Sequence, residues 1–161
     1  MTFGQKNKLV CALPPVADAF AGTANSDVVL LEKYNHVTFQ ILTGASTTAN
    51  GVVTVQACDD TTPSTTSNIA FNYISFTGGA DDDTQSDLTE ADSTGFAMTA
   101  SAAEGMYLIE VDAAAIEGDV AGYKGVRVTV TEDTDDPQLA GIWAILSEPR
   151  YAQDALGTVL S

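Results

Sequence analysis

Apolar and polar residues alternate along much of this chain with a period of two, in short runs separated by loops rich in Gly, Thr, Ser and Asp. Such runs predict β-strands, because successive side chains of a strand point to opposite faces. In the run from His36 to Leu42, Val37, Phe39 and Ile41 share one face, and His36, Thr38, Gln40 and Leu42 the other. Val53, Val55 and Ala57 alternate with Thr54 and Gln56. Val126, Val128 and Val130 alternate with Arg127, Thr129 and Thr131. The first set in each run is expected to face a core. Further strands are expected at Val28–Leu31, Ile69–Thr77, Gly95–Met98, Met106–Val111 and Gly141–Leu146, the last read as buried and carrying the single Trp143. Asp112 to Gly118 predicts a crossover with one helical turn, closed by Gly118. No long amphipathic helix breaks the series, and no fixed-period repeat points to a solenoid or propeller. The prediction is an all-β antiparallel sandwich, jelly-roll-like, with an extended N-terminal arm.

The ends read differently from the middle. Residues 1–25 carry Lys6, Lys8, Pro14 and Pro15 and keep no period. They form either a solvated tail or an arm that packs on a neighbouring subunit. Phe3, Leu9, Val10, Leu13, Val16 and Phe20 favour the arm, since solvated tails seldom carry so many apolar groups. The sandwich is assigned to residues 26–152 and a C-terminal tail to 153–161. The 161 residues suffice for one domain with a core and not comfortably for two.

Charge narrows the partners. Only 17% of residues are charged, against roughly 25% in globular proteins. Polarity must therefore come mainly from Thr, Ser, Asn and Gln. The net charge of −16 repels phosphate backbones and anionic membrane surfaces, so neither nucleic acid nor membrane is expected as a partner. Its simplest effect is solubility. The apolar run from Leu9 to Val16 is short and broken by Pro14 and Pro15, so it is not read as a signal peptide. No segment approaches the roughly 20 apolar residues of a membrane helix.

The chemical inventory is bare. His36 is the only histidine and sits inside a strand pattern, where a structural or surface role is expected; any Ser-His-Asp or Cys-His triad would need it. Cys11 and Cys58 match no metal or redox spacing and are expected as free thiols. No enzyme activity, catalytic residue, cofactor or metal site is assigned. Calcium is the alternative for the carboxylates, with Asp81, Asp82 and Asp83 and the run Glu132 to Asp136 as candidates. Neither matches an EF-hand loop, and solvated loop tips are expected instead. Gly78 to Ser93 is the longest acidic loop, a length typical of functional or mobile loops. Arg150 and Tyr151 follow a proline after the last strand. Arg150 serves either as an anchor to a carboxylate of its own domain or, with Tyr151, as a contact to a neighbour.

Several strand segments recur in a familiar order: TFQILTGA at Thr38–Ala45, VTVQACDD at Val53–Asp60, IAFNY at Ile69–Tyr73, YLIEVDA at Tyr107–Ala113, YKGVRVTVT at Tyr123–Thr131 and AILSEPRYA at Ala144–Ala152. Over Val29 to Ala152 the chain resembles the small structural proteins of tailed bacteriophages found beside the major capsid protein. The resemblance implies head decoration: binding to the assembled major capsid protein lattice on the outer surface of the virion, after synthesis in the host cytoplasm. It implies a homo-oligomer, a trimer being favoured, and no catalytic residues. Phe3, Leu9, Val10, Arg150 and Tyr151 are the expected partner contacts, chosen on composition. Other readings are a head–tail connector or tail subunit, or a calcium-dependent carbohydrate-binding or adhesive module.

Overall fold

The computed structural model describes residues 2–46, 51–77, 84–99, 104–119, 122–133, 135, 137–151 and 159–160. Its elements, in chain order, are α1 (Phe3–Lys6), β1 (Lys8–Val16), β2 (Thr23–Asn25), β3 (Val29–Leu30), β4 (Tyr34–Thr43), β5 (Gly51–Cys58), β6 (Thr66–Ile69), β7 (Phe71–Thr77), β8 (Thr89–Ala91), β9 (Phe96–Ala97), β10 (Gly105–Asp112), α2 (Ala113–Asp119), β11 (Gly125–Glu132) and β12 (Ala140–Pro149).

The strands form two antiparallel sheets. The first has the order β1-β12-β4-β10-β7-β8; the second is β2-β11-β5-β6, with β3 also on β11 and β9 also on β5. The pairings are nested: β1 with β12, β2 with β11, β4 with β10, β5 with β6. A ribbon whose first strand pairs with its last, and so on inward, rolls into two facing sheets. This is the jelly roll, and closing it sets β12 against β4 and β11 against β5. Strands β7 and β8 widen the first sheet beyond the rolled ribbon.

The core lies between the sheets, on the faces the alternation predicts. Val37, Phe39, Ile41, Ile109, Val53, Val55, Ala57, Val126, Val128 and Val130 are all fully buried. Helix α2 follows β10 as expected, running through Gly118 to Asp119, and buries Ala113 and Ile116.

Four segments depart from the sequence reading. Residues 8–25 belong to the sandwich and do not reach away from it. β1 is an edge strand of the first sheet, with Val10 and Ala12 in the core, and β2 pairs with β11 in the second. Ala19 and Phe20, on the connection between them, are buried too. Pro14 and Pro15 are tolerated because β1 is an edge strand with register shifts beyond Cys11. The run Ile69–Thr77 is two strands, since the chain crosses at Ala70 from the second sheet to the first. Ile69 and Phe71 both point into the shared core, so the alternation continues across the crossing and hides it. Within the expected loop from Gly78 to Ser93, residues 78–83 lie outside the described residues, but Thr89–Ala91 adds the edge strand β8. Near the C-terminus, Val159 is buried and its carbonyl accepts a hydrogen bond from the Leu30 amide, so this end returns to the sandwich.

Candidate functional site

The two outer faces of the sandwich differ in chemistry. On the second sheet the outward positions are polar and bonded to one another. Arg127 Nε donates to Gln56 Oε1 (2.9 Å), Gln56 Nε2 donates to Asn68 Oδ1 (3.0 Å), and Thr129 Oγ1 donates to Asn25 Oδ1 (2.8 Å). Such a face is at home in water.

On the first sheet the outward positions are mostly apolar. The register places Leu9 beside Ile145, Cys11 beside Trp143, Leu42 beside Met106, Leu108 beside Ile74, and Met106 beside Phe76. The result is an apolar band across β1, β12, β4, β10 and β7, interrupted by Gln40, whose amide nitrogen lies 2.8 Å from Met106 Sδ. Leu9 is 48% exposed, Leu42 43% and Trp143 37%. The others are half-buried because neighbours on a carpet of side chains shield one another. Scattered exposed apolar residues need no explanation; a band of neighbouring ones is what sets this face apart from the other.

At one end the band deepens into a groove of about 320 Å³ lined by Pro15, Leu42, Leu139, Gly141 and Trp143, among others. Glu104 is its one charged lining residue. Gly141 lets Pro15 of the edge strand lie close: a Cβ there would stand 2.9 Å from Pro15 Cγ.

The other end of the face is charged. His36 of β4 lies between two carboxylates of β10, with Nε2 2.5 Å from Glu110 Oε2 and Nδ1 2.7 Å from Asp112 Oδ1. Thr38 Oγ1 also donates to Glu110 Oε2 (3.0 Å). The hydrogen bond to Glu110 is the largest influence raising the imidazole to about 9; Asp112 adds to it and burial opposes it. Glu110 is held below its usual range, chiefly by the same bond. An imidazolium with both nitrogens bonded has no lone pair for a metal and no free basic nitrogen, so this cluster ties β4 to β10 and does not build a general base. Its stability follows a defined pH window. The raised His36 contributes fully below its ordinary 6.5 and loses its contribution as pH rises through about 9. The lowered Glu110 contributes above its ordinary 4.5 and loses its contribution as pH falls. His36→Gln should therefore destabilise most between those two limits, by about 1–2 kcal/mol once solvent screening of a half-exposed cluster is allowed for, and little above pH 10. Urea unfolding of both proteins across pH checks this; a pH-independent difference would refute it.

The expected contact residues are scattered. Leu9 lies in the apolar band, Phe3 is exposed on α1, and Tyr151 is exposed after β12. Val10 points the other way, into the core, because it alternates with Leu9 along β1. Arg150 is held within its own domain, with Nη2 donating to Glu117 Oε1 (2.9 Å). Cys11 and Cys58 are free thiols; burial pushes Cys58 up to about 11, which leaves it a poor nucleophile. Asp59 and Asp92 use their carboxylates on their own turns, accepting from Ser64 and from Thr94. Among the described residues no group of three or more His, Cys, Asp or Glu is placed to hold a metal ion. Asp81, Asp82, Asp83 and Asp136 lie outside them. No helix among the described residues is long and apolar enough to cross a membrane.

The sequence reading missed Trp143, which it placed inside. Gly141 to Leu146 is apolar at every position, so it carries no alternation to say which side faces water. That unbroken pattern places apolar side chains on both faces of β12, Ile142, Ala144 and Leu146 inward and Trp143 and Ile145 outward. Compared with family models, with curated proteins and with solved structures, the chain finds no match.

Proposed function

We propose that this protein is a structural component of a tailed-phage virion, which decorates and stabilises the capsid by binding the assembled major capsid protein lattice. The observation that carries this reading is the asymmetry of the sandwich: one outer face is polar, whereas the other carries an apolar band, interrupted at Gln40. A protein with that design spends one face on a partner and presents the other to solvent. The bare catalytic inventory and the jelly-roll fold, which recurs in capsid proteins, support the same reading. A ligand that binds the assembled shell and not the free subunit stabilises the shell by mass action. The strongly acidic surface keeps decorated particles apart.

The test is co-sedimentation with expanded capsids of the source phage, with and without a chelator. Saturation at lattice-scale copy number, unchanged by the chelator, is expected. Saturation at the copy number of a single vertex would instead favour a head–tail connector. No binding at all, or stability that collapses on chelation, would overturn decoration in favour of a calcium-dependent adhesive module.

A further inference from the structure

We propose that the groove between Pro15, Leu139 and Trp143 receives a large apolar side chain of a protein partner, flanked in that partner by Lys or Arg. The proposal rests on reading the outer face of the first sheet as the docking surface and names what docks there.

Size comes first. The band spans five strands, roughly 24 Å across, but only two or three outward positions along each, at most about 14 Å, so it covers about 300 Å² by ordinary strand spacing and rise. A standard interface takes about 800 Å² from each partner. A flat contact on this face falls short, and the binding must concentrate in an anchor that fills a pocket. The groove is a concavity on the band. At about 320 Å³ it sits at the small end of ligand pockets, the size of a side chain or two and not of a cofactor. Its walls come from the ends of β1, β4, β10 and β12 and from Gly44, Glu104 and Leu139 on the connections beside them.

Chemistry comes next. The walls are carbon apart from Glu104 and the Thr43 hydroxyl, and that hydroxyl already donates to the Gly105 carbonyl (3.2 Å). The one side-chain charge offered to a polar guest is the Glu104 carboxylate. Outward positions elsewhere on this sheet add Glu90 and the pair Glu110 and Asp112, one of whose charges the His36 imidazolium offsets, and the chain as a whole carries −16. That field opposes a second copy of this chain on the face and draws a basic rim. An apolar residue beside Lys or Arg meets both conditions.

The test needs no capsid. The isotopically labelled protein is titrated by NMR with three capped tripeptides: Lys-Leu-Lys, Lys-Ser-Lys and Glu-Leu-Glu. The single indole N–H of Trp143 and the amides of Leu42, Gly105 and Gly141 report the groove. Saturable shifts with Lys-Leu-Lys are expected, at least about fivefold tighter than with either control. Leu139→Lys should abolish them, and Glu104→Gln should shrink the preference over Glu-Leu-Glu. Three peptides behaving alike, or shifts centred away from the groove, would overturn the proposal. Capsid co-sedimentation separates this claim from the virion reading. A protein that takes Lys-Leu-Lys but ignores capsids keeps the groove and loses decoration; one that binds capsids with no peptide preference does the reverse.

Discussion

Phe39→Ala should cost about 3–5 kcal/mol of unfolding free energy, whereas Trp143→Ala, one strand away, should cost less than about 1 kcal/mol. Phe39 is fully buried on β4, with Ala144 of β12 on one side and Ile109 of β10 on the other. Truncation leaves a hole that Ala144 is too small to fill, so the loss combines transfer and cavity terms. Against a domain stability of roughly 5–15 kcal/mol that is a large fraction. Trp143 points out of the same sheet, 37% exposed, and its removal uncovers neighbours without opening a cavity. Urea unfolding at constant slope measures both. If Trp143→Ala cost as much as Phe39→Ala, the outer face would be covered within the monomer, and it could not be a docking surface.

That contrast also marks what the residues reveal unaided. Where only one face of a strand is apolar, as in Val53 to Ala57 or Val126 to Val130, the pattern names the core directly, because a slip of one residue would bury Thr, Gln and Arg. A helix after β10 is legible for a similar reason, since the alternation stops there, although α2 has seven residues, about two turns where one was expected. Strand order is not legible. The nesting of β1 on β12 and β2 on β11 brings together residues more than a hundred positions apart, as in Ser26 Oγ accepting from the Val128 amide. Nothing local encodes such pairings. The N-terminal segment was hard to read because its register on β12 shifts twice, which breaks the period that would identify a strand. The apolar outer face was hidden by its own composition: a strand apolar on both sides looks like a deeply buried one. The His36 cluster needed the register as well, because Glu110 and Asp112 are neighbours of His36 only through the β4–β10 pairing.

Among the described glycines, Gly95→Ala should be the costliest added methyl, at about 2–4 kcal/mol. Two effects combine. Gly95 has φ +80°, where a side chain costs roughly 1–2 kcal/mol. A Cβ there would also stand 1.9 Å from the Val53 carbonyl oxygen, a backbone atom that cannot swing aside. The turn is otherwise tightly defined: the Gly95 amide donates to the Asp92 carbonyl (3.0 Å), and the Asp92 carboxylate accepts from Thr94 N (2.7 Å) and Oγ1 (2.6 Å). It delivers β9 to β5 and sets Phe96 face to face with Tyr73, ring centres 4.0 Å apart. Relieving the clash must move that aromatic pair. Gly22 separates the two effects, since its φ is +67° but a Cβ there meets nothing within 4 Å. Gly22→Ala should therefore lose only the conformational share, about 1 kcal/mol. Thermal unfolding of the two variants gives the difference between them, which is the cost of the contact with Val53. Equal losses would mean that the turn does not press on β5, and that β9 is held by its stacking alone.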